Sequence, residues 1–419
     1  MSPSRATSAK SAVRRLAAAR IISITGGAAA YTALNFEVYE QTKSATWVAA
    51  TLLLTFGVTG FVGPLAGVLG DRFDRKKVLI ASDVLGAIAF ALMAFAHDPV
   101  WLIAWAFVSA VAEAPFWSAS EAAIPNVAGE EHLSWANSLL GISRALGITL
   151  GPALGGLLVG AVGSTAVFAA NAASFLVSAG IVWSVHARFN AERTDDRHRE
   201  GGVRVGFTFL FHDRVLRTLL LAWVVFILGM GMSMVADLPL AEEFGVGAFG
   251  YGMLITAWGG GSTIGALFGR FMKRGQEGTW LVIACLIISA AGIAIAFSPW
   301  FALIVVLLFV FGLADGTTFV AEQNLRQRRA PDHIRSRVAS AFVGVLNALL
   351  AFSYVAAAIV VPLIGPRATY GIGGVTAGLA VFVLWRTRRY LREDELARGV
   401  SEDAPQGPAP MEARMEQVS

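Results

Sequence analysis

Among the ionisable residues within or at the margins of long apolar runs are Glu37, Glu113, Arg144, Asp237 and Asp315. Charge in such surroundings is costly and usually serves a function. Glu113 sits in SAVAEAPFW and Asp315 in FGLADGTTF, 202 residues later, so the two are approximate repeat mates. A carboxyl group held out of bulk water can take up a proton on one side of a membrane and release it on the other. Arg144 either joins Glu113 in that coupling or fixes it as a structural ion pair, whereas Asp315 has no evident basic mate. Glu37 and Asp237, 200 residues apart, fall near the outer ends of their runs. There they are solvated interfacial groups or guides for a substrate. Glu121 and Glu322 form a third pair, expected to cap helices or to pair with nearby basic residues.

The elements holding these charges must be membrane helices. The chain of 419 residues is 56% hydrophobic and 15% charged, with mean hydropathy +0.63. A soluble domain carries roughly 25% charged residues. Twelve apolar runs are expected near 17–40, 46–69, 78–96, 99–122, 134–160, 165–186, 215–241, 249–271, 279–297, 300–323, 335–362 and 367–387. Each is close to the roughly 20 residues a helix needs to cross the hydrocarbon core. The basic N-terminus resembles a signal sequence, but its apolar part continues for a full span without a cleavage context. The fold class is therefore an all-α membrane protein, with twelve transmembrane helices in two pseudo-symmetric six-helix bundles. Residues 1–16 form a basic N-terminus, 17–186 the first bundle, 187–214 a polar linker, 215–390 the second bundle and 391–419 a disordered tail.

Basic residues set the orientation. With a cytoplasmic N-terminus, only Lys43 and Arg367 of the 33 Lys and Arg fall outside and Arg144 falls within a span. That asymmetry follows the positive-inside rule, so both termini are cytoplasmic in a multi-pass cell-membrane protein. It also accounts for the net charge of +4 without invoking nucleic acid. Bulky side chains of the runs, Phe36, Trp117, Trp223, Phe226, Met230 and Phe319 among them, suit the lining of an adaptable apolar cavity. Lipid-facing packing explains any one of them equally well.

Two stretches have their own physical logic. GVLGDRFDRKK (67–77) is a charge knot between apolar runs, and at an offset of 198 it meets GALFGRFMKR (265–274). Its glycines permit close helix crossing, and its Arg and Lys residues anchor a cytoplasmic loop. In GITLGPALGG (147–156), Gly147, Gly151 and Gly155 lie four apart and share one helix face, while Pro152 tends to kink the helix.

The charge knot resembles the signature loop of the major facilitator superfamily, matching at Gly67, Leu69, Asp71, Arg72, Arg75, Lys76 and Leu79, with Asp74 replacing a Gly. GITLGPALGG, with Gly147, Gly151, Pro152, Gly155 and Gly156, is similar to the antiporter motif of that superfamily. PDHIRSRVAS (331–340) resembles its segment before the eleventh helix, with Ser336 for Gly. Together with IPNVAGEEHLSWANSL (124–139), the pattern looks closest to the drug and siderophore exporters. The resemblance implies that Asp71 latches the cytoplasmic side against Arg335 to Val338, in a gate comprising Gly67, Asp71, Arg72, Arg75, Arg335 and Arg337. Position 269, the repeat mate of Asp71, is Gly, so the latch is one-sided. The glycine motif is implied to form a tight seam between the halves; close packing within one half accounts for its spacing as well.

Other chemistry finds no support. GVGAFG (245–250) lacks a preceding strand, no Walker A sequence occurs, and no His/Cys set has metal spacing. No cofactor, metal or enzymatic activity is expected. The expected partners are a small amphipathic substrate, protons and the lipid bilayer, with the chain a monomer. Export of a drug-like compound or metabolite in exchange for protons is the leading reading. Siderophore export, proton-coupled uptake, ligand sensing and lipid scrambling are the alternatives.

Overall fold

A computed structural model describes residues 3–57, 73–187, 189–190, 202–273, 275–331 and 334–399. Among them there are helices and connecting turns but no strand. In the first half the helices are α1 (Pro3–Thr42), α2 (Ala45–Leu52, extended by a π turn Leu53–Gly57), α3 (Arg75–Met93), α4 (Pro99–Ala128), α5 (Leu133–Val162) and α6 (Ser164–Ser184). In the second half they are α7 (Gly202–His212), α8 (Arg214–Glu243), α9 (Gly247–Leu267), α10 (Glu277–Phe297), α11 (Phe301–Arg329) and α12 (Arg335–Gly399). α12 is broken at Gly365, whose φ of 81° only glycine adopts readily. Pro366 follows and starts the second limb.

Seven of these helices are long and apolar enough to cross a membrane: α4, α5, α6, α8, α10, α11 and residues 337–393 of α12. Of the others, α2 and α7 are too short, and the remaining three are less apolar for reasons visible in their residues. α1 carries Tyr31, Asn35 and Glu37, α3 begins Arg-Lys-Lys and contains Asp83, and α9 is rich in glycine.

Local chemistry sets several helix starts. The Asp98 carboxylate caps α4 by accepting from the Val100 N–H, with Pro99 in the first turn. Asp213 caps α8 through the N–H groups of Val215 and Leu216. It also pairs with Arg329 at 2.7 Å, tying the start of α8 to the end of α11.

Two ends depart from the sequence expectation. Residues 202–212, within the expected linker, are helical as α7, and Gly206 packs on the backbone of Arg337 and Val338 at the start of α12. The last helix continues past residue 390 to Gly399. Good helix formers and an Arg389–Glu393 pair at 2.9 Å carry it on. Residues 400–419 lie outside the described residues.

The halves meet along a seam between α5 and α9 and at the end of the molecule remote from both chain ends. There Val48 and Leu52 of α2 join Leu238, Leu240, Tyr251 and Tyr354 of the second half in one buried cluster. Thr46 Oγ1 donates to the Ala358 carbonyl across the halves at 2.7 Å.

Candidate functional site

Between the halves lies a cavity of about 870 Å³, within the range that holds a drug-sized ligand. Apolar side chains such as Ile24, Ile148, Leu254, Leu308 and Leu350 make up much of its wall. Three polar stations interrupt them.

The first is at the closed end. Asp237 of α8 accepts a hydrogen bond from the Tyr370 hydroxyl, and Tyr251 and Tyr354 line the same cavity. The second is on the first-half wall, where Glu113 Oε1 accepts from Ser109 Oγ at 3.0 Å and from Tyr31 OH at 3.4 Å. Ser109 is one turn before Glu113 on α4, so the helix itself brings this donor to the acid. The third lies toward the chain ends, where Trp117, Glu121 and Arg144 line the cavity. The guanidinium carbons of Arg20 and Arg144 lie 5.0 and 5.3 Å from the Trp117 ring centroid.

The remaining candidates are distributed as follows. Glu113 is hydrogen-bonded to hydroxyls, and among the described residues it makes no ion pair with Arg144. Asp315 is half-buried on α11 and faces the Trp258 side chain, which lines the cavity. Glu37 is half-buried and accepts from Gln41 at 2.8 Å. It is therefore in a different setting from its repeat mate Asp237. Glu322 pairs with Arg326 at 2.6 Å. Trp117 and Met230 line the cavity. Trp223 and Phe226 are instead buried in the second-half core, and Phe36 packs between two buried clusters. Phe319 is 59% exposed on the outer surface of its helix.

The glycine-rich face of α5 serves two seams. A Cβ on Gly151 would lie 2.5 Å from Ala28 Cβ, and one on Gly155 2.7 Å from Ala29 Cα. One on Gly147 would lie 2.6 Å from Ile24 Cγ2. These three contacts are with α1, within the first half. On the adjoining face, Gly156 packs on the backbone of Ala248 and Phe249, and Pro152 O on Gly252 of α9, in the second half. Thr149 and Thr263 hydroxyls continue this second seam at 3.3 Å.

Of the charge knot, Gly67, Asp71 and Arg72 lie outside the described residues. Arg75 donates to the carbonyls of Ala122 at 2.9 Å and Phe189 at 3.3 Å. Lys76 donates to those of Trp183 and Val185, at 2.7 and 2.9 Å. Asp74 caps α3, accepting from the Lys77 N–H and from Asn190 Nδ2. The basic residues thus fasten α3 to the last turns of α4 and to the chain following α6. Arg335 is exposed at the start of α12, and Arg337 offers its backbone to Gly206.

The sequence pattern of the Major Facilitator Superfamily matches residues 16–352 and, in a second alignment, 238–415. The chain belongs to this superfamily. Among its relatives, the multidrug efflux pump Tap of Mycolicibacterium fortuitum is 28% identical over 73% of this chain and 76% of that protein. The enterobactin exporter EntS of Shigella boydii is 26% identical over 78% of this chain and 80% of its own length. The fold is shared with the nucleoside transporter NupG, at TM-score 0.74, 13% identity and coverage of 90% and 99% of the two chains. It is shared too with a bacterial ferroportin homologue in its inward-facing state, at TM-score 0.71, 14% identity and coverage of 90% and 98%. This is a multi-pass membrane transporter family, and the chain is not an enzyme.

Within this facilitator-superfamily chain, two site residues escaped sequence reasoning. Asp83, 2% exposed in α3, lines the cavity and has a buried Oδ2 without a hydrogen-bond partner. It was the lone charge of its apolar run, the same signal that marked Glu113. Arg20, 5% exposed, reads as part of the basic N-terminus because it follows Arg14 and Arg15 so closely.

Proposed function

We propose that this chain exports an amphipathic drug-like compound or metabolite by alternating access, in exchange for protons. Twelve spans carry the cycle: α1 to α6, α8 to α11 and the two limbs of α12, with α7 lying along the membrane surface. Both chain ends face the cytoplasm, as the distribution of Lys and Arg requires. In that frame the end closed by the α2 cluster faces outward. The carrying observation is the central cavity itself, closed at the far end by a cluster drawn from both halves and lined by Asp83, Glu113 and Asp237. Carboxylates at such a depth are held where a change of access exchanges one aqueous face for the other. Glu113 is the principal proton carrier in this reading, with Asp315 its counterpart behind Trp258. Similarity to efflux pumps and a siderophore exporter supports the outward direction.

The test is accumulation of a panel of lipophilic compounds in energised inverted membrane vesicles. Export concentrates a compound inside, and a protonophore abolishes the gradient. Depletion from the vesicles means uptake, and no movement of any compound contradicts the proposal.

A further inference from the structure

We infer that Arg144 and Arg20, gathered at the Trp117 ring, form an anion subsite for the acidic group of a planar aromatic ligand, a carboxylate or similarly compact oxyanion. The inference rests on the reading of the cavity as the substrate site. Three helices build the subsite: Arg20 comes from α1, Trp117 from α4 and Arg144 from α5. A guanidinium keeps its charge at any accessible pH, so one placed within an apolar run must be met by an anion or by water.

Elsewhere in this chain, several arginines at the helix ends find acids. Arg326 has Glu322 at 2.6 Å, Arg329 has Asp213 at 2.7 Å and Arg367 has Glu243 at 2.9 Å. Among the described residues Arg144 and Arg20 have no such partner. Glu113 is engaged by Ser109 and Tyr31. Glu121 is close enough to Arg20 to act on its charge but forms no ion pair with it. Arg20 Nε is buried without a hydrogen-bond partner.

Two cations that converge on one ring repel each other, and an anion between them would relieve that repulsion. Guanidinium forks match a carboxylate in two-point geometry, while the cavity wall beside them, with Ile24, Phe116 and Ile148, suits the ring of such a ligand. Arg144 and Trp117 line the cavity, so the site is open to a ligand held there.

The experiment uses the full-length chain in detergent, with 1-pyrenebutyrate and its neutral amide as probes followed by fluorescence anisotropy. The wild type is expected to bind the carboxylate at least tenfold tighter than the amide. Arg144→Gln should bring the two within twofold of each other while leaving amide affinity unchanged, and Arg144→Lys should keep part of the preference. Glu121→Gln removes a competing acid and should raise the carboxylate preference. Equal binding of both probes by the wild type, or an undiminished preference in folded Arg144→Gln, would overturn the subsite. If Arg144→Gln is not monodisperse, an unchanged ratio in Glu121→Gln counts against it instead. Carboxylate-selective binding without transport of any compound sinks the export reading alone, and export without carboxylate preference sinks the subsite alone.

Discussion

Glu113 and Asp237 are both single carboxylates in a largely apolar cavity, yet their donors differ. Glu113 has a serine from its own helix and a tyrosine from α1, whereas Asp237 has Tyr370 from the second limb of α12. Hydroxyl donors leave either acid free to exchange its proton with water, which a fixed Arg partner would oppose. Glu113→Gln is expected to keep the fold and lose at least tenfold in substrate-driven proton movement, measured with a pH-sensitive dye in proteoliposomes. Tyr31→Phe removes one donor only and should retain most of that movement. Charge within an apolar run was readable from the sequence and marked Glu113 and Asp237. The direction each side chain faces was not readable. Glu37 and Asp237 hold matching places in the repeat, but the first is tied to Gln41 and the second lines the cavity.

At the scale of elements, the spacing of the glycines on α5 was legible, and the packing partner of each face was not. Three glycines on a turn-by-turn row declare a close approach, but which helix approaches depends on tertiary arrangement. Gly151 and Gly155 meet α1, while Gly156 meets α9 across the halves. Gly155→Leu should lower the thermal midpoint in detergent, since forcing a side chain into a filled seam costs about 1–3 kcal/mol. Gly156→Leu should instead impair transport more than stability, because the contact it disrupts is between the halves. A second element-level prediction concerns the Asp213–Arg329 pair, in which the Asp213 side chain is 2% exposed. Asp213→Ala removes the α8 cap, worth about 1 kcal/mol, and takes from Arg329 its carboxylate partner at 2.7 Å in a largely buried pair, a further loss of the same order or more. A strong fall in the thermal midpoint and in folded yield is expected, and a midpoint equal to wild type would contradict it. α7 was missed because its apolar residues sit in a short run between polar flanks, and its helical form depends on packing against α12.

For the whole molecule, composition made the membrane class legible, because it is a property of many residues summed. The cavity was not legible, since it exists only once helices from both halves, α1 to α6, α8, α9, α11 and α12, are assembled. The seam between α5 and α9 gives a prediction at this scale. Cysteines replacing Thr149 and Thr263, whose hydroxyls are 3.3 Å apart, should cross-link readily in the absence of substrate. The central claim is that one cavity couples the outward passage of substrate to the inward passage of protons. Its most direct test is simultaneous recording of substrate and proton flux in proteoliposomes holding wild type or Glu113→Gln. The account predicts opposite, linked fluxes in wild type and loss of the proton flux in the variant. Substrate movement with no proton counterflow in wild type, or an unaltered counterflow in Glu113→Gln, would contradict it.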